Sequence, residues 1–128
     1  MAAWTDEELG RIGEAEELQL ASERPDGTLR PFVTIWVVRV DDGLYVRSAH
    51  GSTNPWYVRA KASGVGRVRA GGLERDVTFA DPASGMEADV DAAYHAKYDR
   101  HGPEIVGTVV GDRAHPTTIG LEQRPTSA

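Results

Sequence analysis

The stretch Arg47-Ser-Ala-His-Gly-Ser-Thr-Asn-Pro-Trp-Tyr-Val-Arg-Ala-Lys61 gathers the residue types that could hold an anion. A strand reading Leu-Tyr-Val-Arg-Ser-Ala ends there in small and hydroxylated residues and hands over to a helix, for which Ser52, Thr53 and Asn54 are cap candidates and Pro55 suits the first position. Amide N–H groups at a helix start sit at the positive end of the helix dipole, and neighbouring hydroxyls such as those of Ser48 and Ser52 add donors toward a phosphate. Arg47 would supply the countercharge. Trp36 upstream and Trp56-Tyr57 on the helix offer flat surfaces of the kind a ring-plus-phosphate ligand requires. Tyr57 and Lys61 share one helical face at i, i+4. A structural reading competes: Ser52 and Asn54 also serve as plain caps, and Trp56 as a core anchor.

Other chemistries are pruned by what is missing. The chain has no cysteine, so disulfides, thiolate nucleophiles and cysteine-ligated metals are excluded, and redox chemistry must be borrowed from a cofactor. His50, His95, His101 and His115 never stand three or four residues apart, so no metal site is expected. Asp89 and Asp91, at i and i+2 of a predicted helix, do not share a face for paired-acid catalysis. There is no nucleophile elbow, P-loop or dinucleotide fingerprint; Gly64-Val65-Gly66 lacks the third glycine and precedes a strand.

The net charge of -6 argues against a nucleic-acid partner. It is unevenly spread: residues 24–75 hold nine Arg or Lys against four acids, which suggests a small anionic ligand unless these cations merely decorate the surface. The first residues, Met1-Ala-Ala-Trp-Thr-Asp-Glu-Glu, lack a positive stretch followed by an apolar run, and no 18-residue apolar segment occurs. A soluble, cytoplasmic protein with no membrane association is expected.

The elements that must position these residues are legible in turn. At 128 residues, 40% hydrophobic and 27% charged, one globular domain spanning 1–128 is expected. Thr5 and Glu8 form a capping-box pattern for a helix to about Ile12. Residues 17–22 alternate as a strand, Pro25-Asp26-Gly27 is a turn, and Thr28 to Val40 is the strongest strand, apolar on both faces. Asp41-Asp42-Gly43 returns the chain into Leu44 to Ala49. A helix over about Pro55 to Ala62 follows, then strands Val65 to Ala70 and Leu73 to Ala80 around Gly71-Gly72. Met86, Val90, Tyr94 and Tyr98 are spaced for a helix over Ser84 to Arg100, residues 104–110 read as either helix or strand, and Thr117 to Gln123 is a last strand before a frayed tail. The order reads as α+β, with an antiparallel sheet able to curl into a small barrel. A two-sided apolar strand in so short a chain predicts a homodimer that covers it.

Arg24-Pro-Asp-Gly-Thr-Leu-Arg-Pro-Phe-Val-Thr-Ile-Trp36, then Asp42-Gly-Leu-Tyr-Val-Arg-Ser48, then Gly51, Pro55-Trp-Tyr57 and Ala60, resemble the flavin-binding split-barrel superfamily of the pyridoxamine 5'-phosphate oxidase type. Within it the layout is most similar to deazaflavin-dependent nitroreductases, and the whole chain, with Arg69-Ala-Gly-Gly72 and Ala92-Ala-Tyr-His-Ala-Lys-Tyr98, resembles an uncharacterised bacterial family placed there. The resemblance implies an antiparallel six-stranded split β-barrel with flanking helices, a homodimer, and FMN or a deazaflavin near the dimer interface. By position it sets Arg30 and Thr34 beside the cofactor, gives its phosphate to the run from Arg47 through Ser48, His50 and Gly51 to Ser52, and lets Trp56, Tyr57 and Lys61 border the ring or substrate. The resulting expectation is an oxidoreductase passing a hydride to a small organic molecule, with Trp36 and Trp56 walling the ring and Tyr57 donating a proton. A non-catalytic module that sequesters a flavin or another anionic ligand is the alternative, and a ligand-free structural dimer a plainer one.

Overall fold

Thr5 and Glu8 close the capping box: the Thr5 hydroxyl accepts from the Glu8 N–H at 3.1 Å and the Glu8 carboxylate from the Thr5 N–H at 2.9 Å. This starts α1 (Asp6–Glu14), and Glu8 then ties the helix to the sheet through Arg75 at 2.8 Å. Hydrogen bonding from the Thr5 backbone, aided by Arg75 and opposed by burial, holds the Glu8 carboxyl below its ordinary range. The computed structural model describes residues 4–49, 51–82, 85–112 and 114–124, and among these are four α-helices and seven strands. Among the described residues, no helix is long and apolar enough to cross a membrane.

The strands are β1 (Leu18–Ser22), β2 (Val33–Ile35), β3 (Val38–Val40), β4 (Gly43–Val46), β5 (Val65–Ala70), β6 (Leu73–Ala80) and β7 (Ile119–Gln123). They form one antiparallel sheet in the order β2-β1-β5-β6-β7-β4-β3. Its two outermost strands are separated in sequence only by Trp36 and Val37. Since a chain advances at most about 3.6 Å per residue, the ends of the sheet stand within roughly 11 Å of each other, and the sheet must curl round to meet itself.

This corrects the strand expected over Thr28 to Val40 and raises the expected six strands to seven. Residues 28–32 join the sheet only through the bridge between Glu23 and Leu29, and the remainder divides into β2 on β1 and β3 on β4. The reason lies in what competes for the backbone at the division. The Val37 carbonyl accepts from Lys97 Nζ at 2.6 Å, and the Val37 N–H donates to the Tyr98 hydroxyl at 3.2 Å. The same hydroxyl donates to the Glu16 carbonyl at 2.8 Å. Both side chains come from α3 (Glu87–Tyr98), which thereby fastens the seam of the barrel. Burial lowers the Lys97 ammonium to about 8. Tyr98→Phe should leave the Val37 N–H without a partner and cost about 1–3 kcal/mol, read as a lower urea midpoint at unchanged slope; an unaltered midpoint would refute the role of that hydroxyl.

Two cores result. Leu18, Leu20, Val46, Val68, Val77 and Ile119 fill the barrel under α1 and α2 (Pro55–Ser63), while Val90, Tyr94 and Tyr98 of α3 pack with Val38, Val106 and Val109. The glycine hairpin forms as expected between β5 and β6, with Gly71 and Gly72 at φ of +59° and +80°. The long helix is shorter than expected: α3 is followed by a tight turn over Asp99–His101, and its proposed start at Ser84 lies outside the described residues, as does most of the tail. The ambiguous 104–110 stretch holds a short helix, α4 (Pro103–Val106).

Candidate functional site

The division of the long strand leaves Trp36 at the seam with its ring laid on Tyr98, centroids 4.0 Å apart and planes 3° from parallel. Trp56, in the first turn of α2, is 9% exposed and meets Tyr57 edge-on at 6.1 Å. Both indoles line one cleft of about 630 Å³. Val33, Thr34 and Ile35 of β2 continue the Trp36 wall, and Ala49 and Asn54 approach from the turn before α2. The opposite rim comes from His101, Glu104, Ile105, Thr108 and Val109, with Ile105 51% exposed.

Arg47 also lines the cleft, yet its guanidinium is turned inward and its side chain is 0% exposed. Nε donates to the Thr118 hydroxyl at 2.8 Å, Nη1 to Asp91 and to the Val109 carbonyl at 2.9 Å, and Nη2 to the Glu87 carbonyl at 3.2 Å. His115 Nε2 lies 2.9 Å from the other Asp91 oxygen. Burial pushes the Asp91 carboxyl up, but the hydrogen bonds from Arg47 and His115 outweigh it and hold the group below its ordinary value. Arg47 thus clips together β4's end, both ends of the α3–α4 region and the approach to β7.

Of the expected site residues, Thr34, Trp36, Arg47 and Trp56 meet in the cleft. Arg30, Ser48, Gly51, Ser52, Tyr57 and Lys61 do not line it. Ser48 is buried, donates its backbone N–H to the Thr117 hydroxyl at 3.1 Å and its own hydroxyl to the Gly51 carbonyl at 2.6 Å, closing a turn in which Gly51 has φ of +95°. Ser52 is exposed, and Asn54 makes no cap but donates to the Ala49 carbonyl at 3.4 Å. The Tyr57 hydroxyl is spent on the Pro116 carbonyl at 3.1 Å, and Lys61 pairs with Asp81 at 2.6 Å. Arg30 keeps a buried Nε with no partner, outside the cleft lining. His50 lies outside the described residues.

The basic middle of the sequence is largely cancelled in space. Five of its nine cations are paired: Arg47 with Asp91, Lys61 with Asp81, Arg67 with Asp76, Arg69 with Glu74 and Arg75 with Glu8. Arg47 is buried, but Lys61, Arg67, Arg69 and Arg75 are partly exposed cations of the kind that decorate a surface. What sequence reasoning missed is the 101–109 rim, because a four-residue helix between turns carries no periodicity to read.

A curled antiparallel sheet closed at a split strand, with helices over its ends and an aromatic cleft at the split, defines a split-barrel α+β fold. Residues 8–121 match the family described as an uncharacterised protein conserved in bacteria, DUF2255, and the chain belongs to that family. No curated protein matches it. Similar solved structures include a putative pyridoxamine 5'-phosphate oxidase from Listeria innocua, 12% identical over 95% of this chain and 93% of that one, with a TM-score of 0.61. An F420 reductase is 19% identical over 93% of both chains, TM-score 0.56. A FAD-binding protein from Mesorhizobium loti is 14% identical over 97% of this chain and 93% of that one, TM-score 0.52.

Proposed function

We propose that the cleft between Trp36 and Trp56 holds a flavin-type ring, of FMN or a deazaflavin, and that the protein uses it to reduce a small organic substrate. The observation that carries this reading is the convergence of two indoles on one cleft of about 630 Å³ at the seam of a split barrel, a volume in the range of cofactor pockets. Fold neighbours described as an F420 reductase and a FAD-binding protein support it. When bound, the ring would supply hydride transfer. This chain's own residues would do the rest: Trp36, held flat by Tyr98, and Trp56 wall the ring; Thr34, Thr108 and Asn54 offer hydroxyls and an amide to its polar edge; Ile105 and Val109 exclude water.

A homodimer is part of the proposal. Phe32, Val33, Ile35 and Trp36 are only half-buried in one protomer and Ile105 is exposed, an apolar surface that a second copy would cover.

The test is a titration with FMN and with a deazaflavin, followed by absorbance and Trp fluorescence on protein of measured mass. Micromolar binding of either is expected, weakened about tenfold or more, some 1.4 kcal/mol, by Trp36→Ala. Binding of neither would remove the cofactor role and leave the fold. A non-catalytic binding protein is the second reading, favoured by the commitment of the Tyr57 hydroxyl to Pro116, which takes away the expected proton donor. Turnover of a reducible dye with the reduced cofactor separates the two.

A further inference from the structure

The cleft provides very unequally for the two ends of a ring-plus-phosphate ligand. Its ring end is well furnished: one indole is fixed by stacking, the other is buried, and aliphatic side chains close the sides. Its cations, among the described residues, are already engaged. Arg47 has donated four hydrogen bonds inward and faces Asp91, while His101 Nε2 lies 2.6 Å from Glu16 Oε1. Glu104 adds a carboxylate to the lining, which would repel a phosphate.

The start of α2, read from sequence as the anion site, is also poorly supplied. Pro55 has no N–H to give, and the N–H groups of Tyr57 and Val58 both turn back to the Asn54 carbonyl, at 3.0 and 3.1 Å. Ser48 Oγ is bonded to the Gly51 carbonyl and does not line the cleft. A phosphate placed here would lose water without gaining a charged partner.

We infer that the cleft selects an uncharged planar heteroaromatic ligand by its ring and gives a terminal phosphate no anchor, so the ligand's tail runs to solvent. The inference rests on the reading that the cleft is the ring site, and it names the class of ligand that site takes.

Riboflavin and FMN share one ring and differ by the phosphate, and lumichrome keeps the ring without the tail. Titrations of the intact protein with all three, near pH 8, where imidazoles are ordinarily neutral, and at low salt, where charge contacts are least screened, decide the matter. Riboflavin and FMN should bind within about threefold of each other, whereas a charge-anchored phosphate would favour FMN by about tenfold or more. That preference for FMN would overturn the inference and uphold the flavin reading. Binding of lumichrome alone would uphold the inference and remove the flavin reading. Binding of none of the three would overturn the inference and, together with a blank deazaflavin titration, the reading of the cleft as a ring site.

Discussion

Replacing Arg47 by alanine should cost about 3–5 kcal/mol of folding stability, the range for breaking a buried ion pair by removing one partner. The substitution strips the Asp91 carboxylate of its cation and leaves the Thr118 hydroxyl and the Val109 and Glu87 carbonyls without their donor. Arg47→Lys should recover little, because one ammonium on a flexible stem cannot reach acceptors spread over four residues as a planar guanidinium does. Urea unfolding measures both. The pH dependence adds a signature: Asp91 has a folded pKa below its ordinary value, so its contribution is complete at neutral pH and is lost as pH falls through that folded value. The gap between wild type and Arg47→Ala should therefore narrow in acid. An Arg47→Ala protein as stable as wild type would show the guanidinium to be dispensable for the fold.

That result bears on how much of the site was legible in the sequence. Arg47 stood out because it sits where a strand hands over to a helix, and the structure does place it against the cleft. Its partners lie 44 and 71 residues further on, in Asp91 and Thr118, and nothing local announces them. Asp91 reads locally only as half of an i, i+2 pair with Asp89, a spacing that argues against paired-acid catalysis and says nothing about a partner on another element. Trp36 and Trp56 were legible as a pair because aromatic residues beside an anion-type turn suggest a ring, and they do share a wall.

The fold divides along the same line. The capping box at Thr5 and the Gly71-Gly72 hairpin depend on residues within a few positions of each other, and both form as read. The split at Trp36 and Val37 depends on Lys97 and Tyr98, some 60 residues away, taking the backbone groups a ladder would have used. A pattern of β-branched and aromatic residues reports a pleated, half-buried surface, but not which neighbour each half of the strand will pair with.

Gly66→Ala should cost more than about 3 kcal/mol, since overpacking a rigid interior commonly costs about 1–3 kcal/mol even where side chains can yield. Gly66 lies in β5 between β1 and β6, paired with Ser22 and Val77. A Cβ there would fall 2.1 Å from the Ala21 carbonyl oxygen and 2.8 Å from the Phe79 ring. The ring can turn; the carbonyl belongs to β1, so the strand itself would have to move. β1 carries Leu18 and Leu20 into the barrel core and pairs with β2, whose far end is the Trp36 wall of the cleft. The lesion would thus travel through one strand to the ring site, and ring binding should fall with stability. Gly10→Ala supplies the control. It sits inside α1 with nothing within 4 Å of a new Cβ, and alanine there should stabilise by up to about 1 kcal/mol through helix propensity. Opposite shifts of the two urea midpoints would tie the loss to the close approach of β1 and β5; a Gly66→Ala midpoint equal to wild type would mean that the strands do not pack as tightly as described.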